Sequence, residues 1–244
     1  MTQENKPHLY VCPSPALLHL YDVKSSIMVI IDVLRATSTI CTALYHGAEQ
    51  VIPVASVGEC IQTGKQLQAI TAGERDGIIA PGLQHGNSPF EYPESFIRGR
   101  TLVLTTTNGT RLLDMASEAK EIITGSFPNY TAVCEYLLNQ HLPVILGCAA
   151  WKDRINLEDM LFAGAVVNQV KESFYINCDS ALMAETLYLG AKNDLYAAIQ
   201  QASHFHRLAK HGLEDDIKYC LTIDIAPSLP ILKGKALVNG NEIC

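Results

Sequence analysis

Residues 27–40 read Ile-Met-Val-Ile-Ile-Asp-Val-Leu-Arg-Ala-Thr-Ser-Thr-Ile, and this stretch decides the fold class. Its first five residues form an unbroken apolar run, which is typical of a strand buried on both faces of a parallel sheet. Asp32 and Arg35 follow the run, and the chain then continues with apolar residues at helical spacing until Gly47. The stretch therefore predicts a buried strand followed by a helix, the repeating unit of an α/β fold.

An acid, a guanidinium and several hydroxyls lie where this strand meets its helix, which is where open α/β sheets bind ligands. The free N–H groups of a helix N-terminus also attract anions. The pattern predicts that Asp32 holds a metal ion and that Arg35 and Thr37 bind a phosphate. The alternative is a capped helix with one surface ion pair. We favour the functional interpretation because a charge that ends a buried strand costs free energy unless it is paired or used.

The composition is that of a globular protein, with 244 residues of which 48% are hydrophobic and 18% charged. It predicts one α/β domain over residues 1–244. The net charge of -7 and the lack of a basic tract argue against binding to nucleic acid. No segment has the length of a membrane span or the features of a signal peptide, and the eight cysteines lack zinc-site spacing. We expect a cytoplasmic protein with reduced cysteines that binds neither nucleic acid nor membrane.

Strand and helix signals alternate along most of the chain. Strands are predicted at 8–12, 50–55, 99–106, 121–124, 142–148, 222–226 and 236–238, and helices at about 57–71, 112–115, 130–139, 157–167 and over much of 170–221. Residues 72–92 lack a regular pattern and are predicted to form a functional loop, because irregular segments longer than about 12–15 residues are unusual in compact domains. The alternation predicts a largely parallel sheet covered by helices on both faces.

Polar groups follow four of the predicted strands. They are Asp32, Arg35 and Thr37; Thr107, Asn108, Gly109, Thr110 and Arg111; Ser126 and Asn129; and residues 148–154. Parallel strands end at one edge of a sheet, so these groups are expected to converge. Hydroxyls, amides, glycine turns and arginine suit a phosphate, which accepts several hydrogen bonds at once. The acids Asp32, Glu74, Glu158 and Asp159 are hard oxygen ligands of the kind that Mg²⁺ uses.

Other chemistries have less support. The sequence contains neither a P-loop nor the nucleophile elbow of an α/β hydrolase. Cys148 ends a strand, but no neighbouring base is identified, and structural packing is favoured for it. Asp32 remains an alternative covalent nucleophile, although the DxD pattern of such phosphatases is absent. His85 is open between a general acid and a plain loop residue, and His204 and His206 are predicted on a helix surface.

Five motifs occur in order between about residues 29 and 165. They are Asp-Val-Leu-Arg-Ala-Thr-Ser-Thr at 32–39, Gly73-Glu-Arg with Gly86-Asn-Ser-Pro, Thr106-Thr-Asn-Gly-Thr, Gly125-Ser with Asn129, and Glu158-Asp with Ala163-Gly164. Together they resemble the 2-phosphosulfolactate phosphatase (ComB) family. Beyond about residue 170, only Asp179, Cys220 and Asp224 are candidate matches.

The resemblance implies a three-layer α/β/α fold with a largely parallel (mixed) sheet and self-association as a homodimer. It also implies Mg²⁺-dependent hydrolysis of 2-phosphosulfolactate to sulfolactate and phosphate, on the route to coenzyme M. The predicted catalytic residues are Asp32, Arg35 and Asn108, and the predicted Mg²⁺ ligands are Asp32, Glu74, Glu158 and Asp159. The predicted substrate-binding residues are Thr37, Arg75, Asn87, Ser88, Thr107, Gly109, Thr110, Arg111, Ser126 and Asn129. Among these, Arg75 and the Asn87-Ser88 turn are expected to recognise the sulfonate or carboxylate.

Two alternatives to this function stay open. One is a non-catalytic protein that binds anionic metabolites on the same scaffold. The other is a phosphatase for a different phosphorylated 2-hydroxy acid, with the same expected partner, a small anionic phosphorylated substrate.

Overall fold

The protein is described from a computed structural model, which covers residues 6–75 and 77–242. Its strands are β1 (Leu9–Cys12), β2 (Ile27–Ile31), β3 (Gln50–Pro53), β4 (Ile70–Arg75), β5 (Ile78–Ile79), β6 (Thr101–Thr105), β7 (Glu121–Gly125), β8 (Val144–Cys148), β9 (Pro230–Lys233) and β10 (Ala236–Asn239). Its α-helices are α1 (Ala36–Tyr45), α2 (Val57–Leu67), α3 (Glu94–Ile97), α4 (Gly109–Met115), α5 (Tyr130–Leu138), α6 (Leu157–Val170), α7 (Asp179–Ala191), α8 (Leu195–Ile199), α9 (Ser203–Ala209) and α10 (Glu214–Cys220). Short 3₁₀ helices lie at Pro15–Leu20, Val23–Ser25, Pro89–Glu91, Phe127–Asn129 and Gly240–Glu242.

The described strands form one ten-stranded mixed sheet in the order β1-β8-β2-β7-β9-β10-β3-β6-β4-β5. Strands β1, β8, β2 and β7 form one parallel block, and β3, β6 and β4 form a second. The hairpin of β9 and β10 joins the blocks and is antiparallel to its neighbour on each side. Three antiparallel pairings separate β7 from β3, so the strands of the two blocks run in opposite directions.

The apolar run of β2 lies inside the first block and is buried along its whole length. Ile27, Val29 and Ile31 belong to the cluster that includes the buried faces of α5 and α6, whereas Met28 and Ile30 belong to a cluster with α4. Alternate side chains of a strand point to opposite faces, so β2 supports a helical layer on each side. This arrangement confirms the three-layer α/β/α fold with a largely parallel, mixed sheet.

The helical C-terminal segment packs on the same core as β2. Apolar side chains from α7 to α10 join the cluster that contains Ile27, Val29 and Ile31. Helix α7 crosses α6 so closely that a Cβ on Gly164 would lie 1.9 Å from the Ala184 carbonyl oxygen. Glycine at this crossing therefore allows the two backbones to meet, and α7 to α10 occupy much of residues 179–220.

Residues 70–75 are a strand, where the sequence predicted the end of a helix and the start of a loop. Helix α2 ends at Leu67, and the left-handed Gln68 (φ 51°) turns the chain into β4. Ile70 and Ala72 are buried against β6, so their apolar character reflects a strand rather than a continued helical stripe. The following segment runs beside β4, where Gly73 N donates to the His85 carbonyl oxygen at 3.0 Å.

The predicted strand at 222–226 is wrong, and β9 was not predicted. Ile223 and Ile225 are exposed, and Asp224 is in the left-handed region at φ 57°. The Asp224 carboxylate accepts from the backbone N–H of Thr131 at 2.8 Å and from its hydroxyl at 2.6 Å, in the first turn of α5. Ile223 and Ile225 therefore flank an aspartate that caps α5, a helix far away in the sequence, and they do not form a strand.

Across the described ranges, no helix is both long and apolar enough to cross a bilayer. The cysteines of these ranges are free thiols, and all but Cys178 are buried, as the sequence predicted. Cys244 and residues 1–5, which bear on the signal-peptide prediction, lie outside the described residues.

Candidate functional site

A cleft of about 230 Å³ brings together residues from both parallel blocks and from the C-terminal helices. Its lining consists of Asp32, Leu34, Arg35, Glu74, Gly77, Asn87, Thr106, Thr107, Asn108, Trp151, His204, Arg207, Leu208, Lys210 and His211. The predicted polar groups after β7, Ser126 and Asn129, lie outside this lining. The segments after β2, β6 and β8 converge as predicted, and Glu74 of β4 joins them. Because the two blocks run in opposite directions, a single shared edge of a parallel sheet does not account for this convergence.

Asp32 is fixed through its backbone and presents a buried carboxylate to the cleft. Its N–H donates to the Thr37 hydroxyl at 3.1 Å, and that hydroxyl donates to the Asp32 carbonyl oxygen at 2.9 Å. A Cβ on Gly109 would lie 2.9 Å from Asp32 Oδ2, so glycine lets the start of α4 approach the carboxylate. Burial raises the pKa of Asp32 to about 6, opposed by His204 and reinforced by the charges of Glu74 and Glu158.

Glu158 and Asp159 occupy the first turn of α6 and are fully buried. Asp159 accepts from Val33 N at 2.9 Å and from Ala150 N at 3.4 Å, so it joins the segments after β2 and β8. Burial, followed by the charges of Glu158 and Asp32, raises the pKa of Asp159 well above its usual range. Asp159 thus has a clear structural role in the hydrogen bonds that it accepts.

Glu158 leaves one carboxylate oxygen without a hydrogen-bond partner. Its Oε1 lies 2.6 Å from His204 Nδ1, whereas the buried Oε2 has no partner among the described residues. A buried oxygen in this state is costly and requires an explanation such as a bound ion. The prediction of His204 on a helix surface is wrong, because α9 packs His204 against Glu158 at the cleft. His206 is exposed as predicted.

The acids fit an open Mg²⁺ site better than an enclosed metal cage. No group of three His, Cys, Asp or Glu side chains within 6–75 and 77–242 is arranged to hold a metal by itself. Mg²⁺ usually retains water and binds through one or two carboxylates. The unpaired Glu158 Oε2 and the buried Asp32 carboxylate suit that mode.

Glu74 faces the cleft, and both of its carboxylate oxygens already accept hydrogen bonds from the protein. Its Oε1 accepts from the N–H and hydroxyl of Thr107 at 3.1 and 3.0 Å, and its Oε2 accepts from Gly77 N at 3.0 Å. These bonds fix the turn after β4 and the segment after β6 relative to each other. Glu74 is therefore a weaker ligand candidate than Asp32 or Glu158.

Arg35 lines the cleft and is also half of a buried ion pair. Its Nη1 donates to Asp216 Oδ1 at 2.6 Å, and its Nη2 donates to the Gly77 carbonyl oxygen at 3.4 Å. Asp216 lies on α10, so the pair connects the segment after β2 with the C-terminal helices. No local sequence pattern indicates Asp216 as the partner of Arg35.

The remaining predicted binding residues divide into two groups. Asn87, Thr107 and Asn108 line the cleft together with Asp32 and Arg35. The others lie outside its lining and hydrogen-bond to protein groups instead. Thr37 bonds to the Asp32 backbone, Thr110 to the Thr106 carbonyl oxygen, and Arg111 to Asp153 at 2.8 Å. Ser88 bonds to Phe90 N, Ser126 to Asn129, and Arg75 to the Glu74 carbonyl oxygen and the Thr105 hydroxyl. Gly109 is also outside the lining, although it borders Asp32.

Several residues of the cleft were not predicted as site residues. Trp151 presents its ring to the Arg207 guanidinium at 4.0 Å and to Lys152 Nζ at 4.6 Å. Lys210 and His211 extend the cleft wall beyond the end of α9. A polar run at 204–207 was visible in the sequence, but no local pattern showed which strand ends this helix would face.

Cys148, considered as a nucleophile, and His85, considered as a general acid, both lie outside the cleft lining. Cys148 is fully buried, and burial, followed by the charge of Asp159, raises the pKa of its thiol well above the usual value. Such a thiol stays protonated and is a poor nucleophile. His85 lies outside the cleft lining, 3.7 Å from the Glu91 carboxylate and against the ring of Phe96.

Comparison with known proteins gives one consistent result. The family model for 2-phosphosulfolactate phosphatase matches residues 12–235. A probable 2-phosphosulfolactate phosphatase of Thermotoga maritima is 42% identical over 212 residues, covering 87% of this chain and 89% of that protein. Proteins with the same description from Caldanaerobacter subterraneus subsp. tengcongensis and Carboxydothermus hydrogenoformans are 38% identical over 216 residues (87% and 90% of the two chains) and 34% identical over 229 residues (92% and 94%). The chain belongs to the 2-phosphosulfolactate phosphatase family and is therefore an enzyme of the phosphoric monoester hydrolase class.

Proposed function

We propose that this protein hydrolyses 2-phosphosulfolactate to sulfolactate and phosphate in the cleft around Asp32. The observation that carries the proposal, beside membership of the family, is the buried carboxylate group of Asp32, Glu158 and Asp159. Like charges at close quarters are unfavourable unless protons, cations or a metal compensate them. Asp32 lines a cleft that also contains Arg35 and several amide and hydroxyl donors, and Glu158 and Asp159 lie fully buried outside its lining, where their charges act on one another and on Asp32. This arrangement supports chemistry on a charged phosphate ester.

We further propose that Mg²⁺ is held by Asp32 and Glu158, with Glu74 at the border of its site. When bound, the metal supplies charge that polarises the phosphoryl oxygens and lowers the pKa of a coordinated water. Asp159 holds the segments after β2 and β8 in place through Val33 N and Ala150 N. His204 orients the Glu158 carboxylate by its bond to Oε1, which leaves Oε2 to face a cation.

The phosphate is assigned to the donors around Arg35, Thr107 and Asn108. A guanidinium carries five N–H donors, and the contacts of Arg35 with Asp216 and Gly77 account for two of them. Thr107 and Asn108 lie in the segment that Glu74 fixes. Donors held in place before the reaction stabilise charge on the transferring group without reorganisation.

A mechanism with Asp32 as a covalent nucleophile is the second candidate for the same reaction. It is favoured by the placement of Asp32 at the end of a buried strand, facing the cleft. Rapid quench followed by peptide mass analysis tests it, since a phosphoryl group on Asp32 supports this route. Inversion at a chiral phosphorus supports direct attack by water, whereas retention indicates two displacements.

The activity is tested by phosphate release from 2-phosphosulfolactate and from phospholactate, each with Mg²⁺ and with EDTA. Metal-dependent turnover that prefers the sulfonate supports both the reaction and the cofactor. Equal turnover of both esters supports a phosphatase of another phosphorylated 2-hydroxy acid. No release from either ester, combined with tight binding, supports a non-catalytic binder of anionic metabolites.

The coenzyme M route and the homodimer are proposals that rest on the resemblance, and the cytoplasmic location is a proposal that rests on the sequence. The free cysteines of the described residues support a reducing compartment. Light scattering on the purified protein tests the dimer, which requires a mass twice the 26.7 kDa of the chain.

A further inference from the structure

The cleft has a cationic side that the phosphate chemistry does not use. Arg207, Lys210 and His211 come from α9 and the residues after it, and they line the same cleft as Asp32 and Glu74. Lys210 is exposed, and no salt bridge joins it to a residue within 6–75 or 77–242. The turn after β4 packs on this side, since a Cβ on Gly77 would lie 3.4 Å from the His211 ring.

The indole ring of Trp151 packs against the flat face of the Arg207 guanidinium. The guanidinium carbon lies 4.0 Å from the centre of the indole ring. Stacking uses the face of a guanidinium, whereas an anion such as a carboxylate or sulfonate binds to the N–H groups along its edge. Arg207 therefore has an orientation set by the cleft wall before any ligand arrives.

The turn that carries Trp151 is built to keep this position. Trp151 and Arg154 exchange backbone hydrogen bonds at 2.8 and 3.0 Å. Ala150, Lys152 and Asp153 all have positive φ values of 57°, 51° and 64°. Non-glycine residues in this region are strained, and such strain is concentrated at ligand-binding segments.

We propose that Lys210 and Arg207, the latter oriented by Trp151, bind the second strong anion of the substrate and so determine specificity for a sulfonated tail. The inference rests on the proposed function, because it concerns the part of the same substrate that does not react. A phosphorylated sulfolactate carries a phosphate, a carboxylate and a sulfonate. The phosphate belongs with the acids and their metal, so the tail anions need cations on another wall, and α9 supplies them.

Arg75, which the sequence predicted to recognise the sulfonate or carboxylate, is not part of this cationic side. The Arg75 guanidinium is held by the Glu74 carbonyl oxygen at 2.6 Å and by the Thr105 hydroxyl at 3.2 Å, and Arg75 is outside the cleft lining. The residues that face the cleft on this side are those of α9. The sequence did not reveal them because only the fold brings α9 to the strand ends.

The test uses calorimetric titration of the full-length protein with sulfolactate and with lactate, which lacks the sulfonate. Trp151 is the single tryptophan of the chain, so its fluorescence reports whether a ligand enters this cleft. Lys210→Ala and Arg207→Ala are compared with Lys192→Ala, an exposed lysine at the end of α7 outside the cleft, and with His206→Ala, an exposed residue of α9 outside it.

We expect the wild-type protein to bind sulfolactate more tightly than lactate and with a change in Trp151 emission. Each of Lys210→Ala and Arg207→Ala should reduce the ratio of the two affinities about tenfold or more, the loss typical of one charge-assisted hydrogen bond. Lys192→Ala and His206→Ala should keep the wild-type ratio. The same variants should lower kcat/KM for 2-phosphosulfolactate relative to phospholactate by a similar factor.

Equal affinity for sulfolactate and lactate in the wild type would overturn the inference, as would an unchanged ratio in both α9 variants. Sulfolactate binding without a change in Trp151 emission would place the anion elsewhere and also overturn it. Binding as expected together with no phosphate release would leave the α9 subsite standing and reject the proposed function instead.

Discussion

The buried ion pair of Arg35 and Asp216 should be the most sensitive link between the strand ends and the C-terminal helices. Their side chains are 5% and 9% exposed, and Nη1 lies 2.6 Å from Oδ1. Asp216→Asn removes the countercharge, and the guanidinium cannot respond by losing its proton. Breaking a buried pair on one side costs about 3–5 kcal/mol, which for a chain of this length lowers Tm by about 6–20 °C.

The neighbouring Asp215 provides a matched control. It occupies the same first turn of α10, and its ion pair with Lys218 has side chains that are 83% and 59% exposed. Asp215→Asn therefore removes the same charge from the same helix end without unpairing a buried group. We expect no resolvable shift in its Tm, because solvent screens exposed pairs.

Thermal unfolding followed by circular dichroism measures the difference in Tm between Asp216→Asn and Asp215→Asn. In addition, kcat/KM should fall for Asp216→Asn because Arg35 also lines the cleft. The double variant Arg35→Met with Asp216→Leu should recover much of the stability but not the activity, since an apolar pair requires no charge compensation. Equal Tm values for Asp216→Asn and Asp215→Asn would refute the reasoning.

Three further predictions concern the same core and cleft. His204→Ala removes the partner of Glu158 Oε1 and should reduce the free energy of unfolding in urea by about 1–3 kcal/mol, together with the rate of phosphate release. Gly164→Ala places a Cβ 1.9 Å from the Ala184 carbonyl oxygen and should cost about 3 kcal/mol or more, whereas Gly190→Ala on α7 meets nothing within 4 Å and should be neutral or stabilising by up to about 1 kcal/mol. Mg²⁺ at about a hundred times its Kd should stabilise the wild type by about 2.7 kcal/mol in thermal unfolding, and EDTA should remove the effect.

Each of these predictions has a result that contradicts it. An unchanged unfolding midpoint in His204→Ala would mean that Glu158 does not depend on this bond. Equal stability of Gly164→Ala and Gly190→Ala would contradict the close crossing of α6 and α7. A Tm that is the same in Mg²⁺, in Mg²⁺-free buffer and in EDTA would argue against a Mg²⁺ site in the folded protein.

The sequence predicted those elements whose local pattern and tertiary surroundings agree. The apolar run of β2 has both faces buried, so five successive apolar residues were enough to identify it. Helix α2 begins at residue 57 as predicted, and the hydroxyl of Ser56 caps it by accepting from Glu59 N at 3.1 Å. In contrast, β4 was missed because Ile70 continues the apolar spacing of the helix before it and Ala72 begins the segment that lacks a regular pattern.

The site was predictable at the strand ends and not on the C-terminal helices. Asp32 and Asn108 follow strands whose place in an α/β fold is implied by the chain itself. His204 lies on the short helix α9, and Lys210 directly follows this helix. The helix packs against strand ends that are far away in the sequence, and neither its spacing nor its composition encodes which strand end it meets. The pairing of Arg35 with Asp216 is long-range for the same reason.

The Asp32 carboxylate is proposed to serve metal-dependent phosphate release. The test of this role is the initial rate of phosphate release from 2-phosphosulfolactate in Mg²⁺, for the wild type, for Asp32→Asn and for the control Asp22→Asn at an exposed position. Asp32→Asn should lose at least about a hundredfold in rate while it keeps its fold, because a desolvated charge is replaced by a neutral isostere. Asp22→Asn should match the wild type, and EDTA should abolish its turnover. Near-normal turnover by Asp32→Asn in Mg²⁺ would contradict the account.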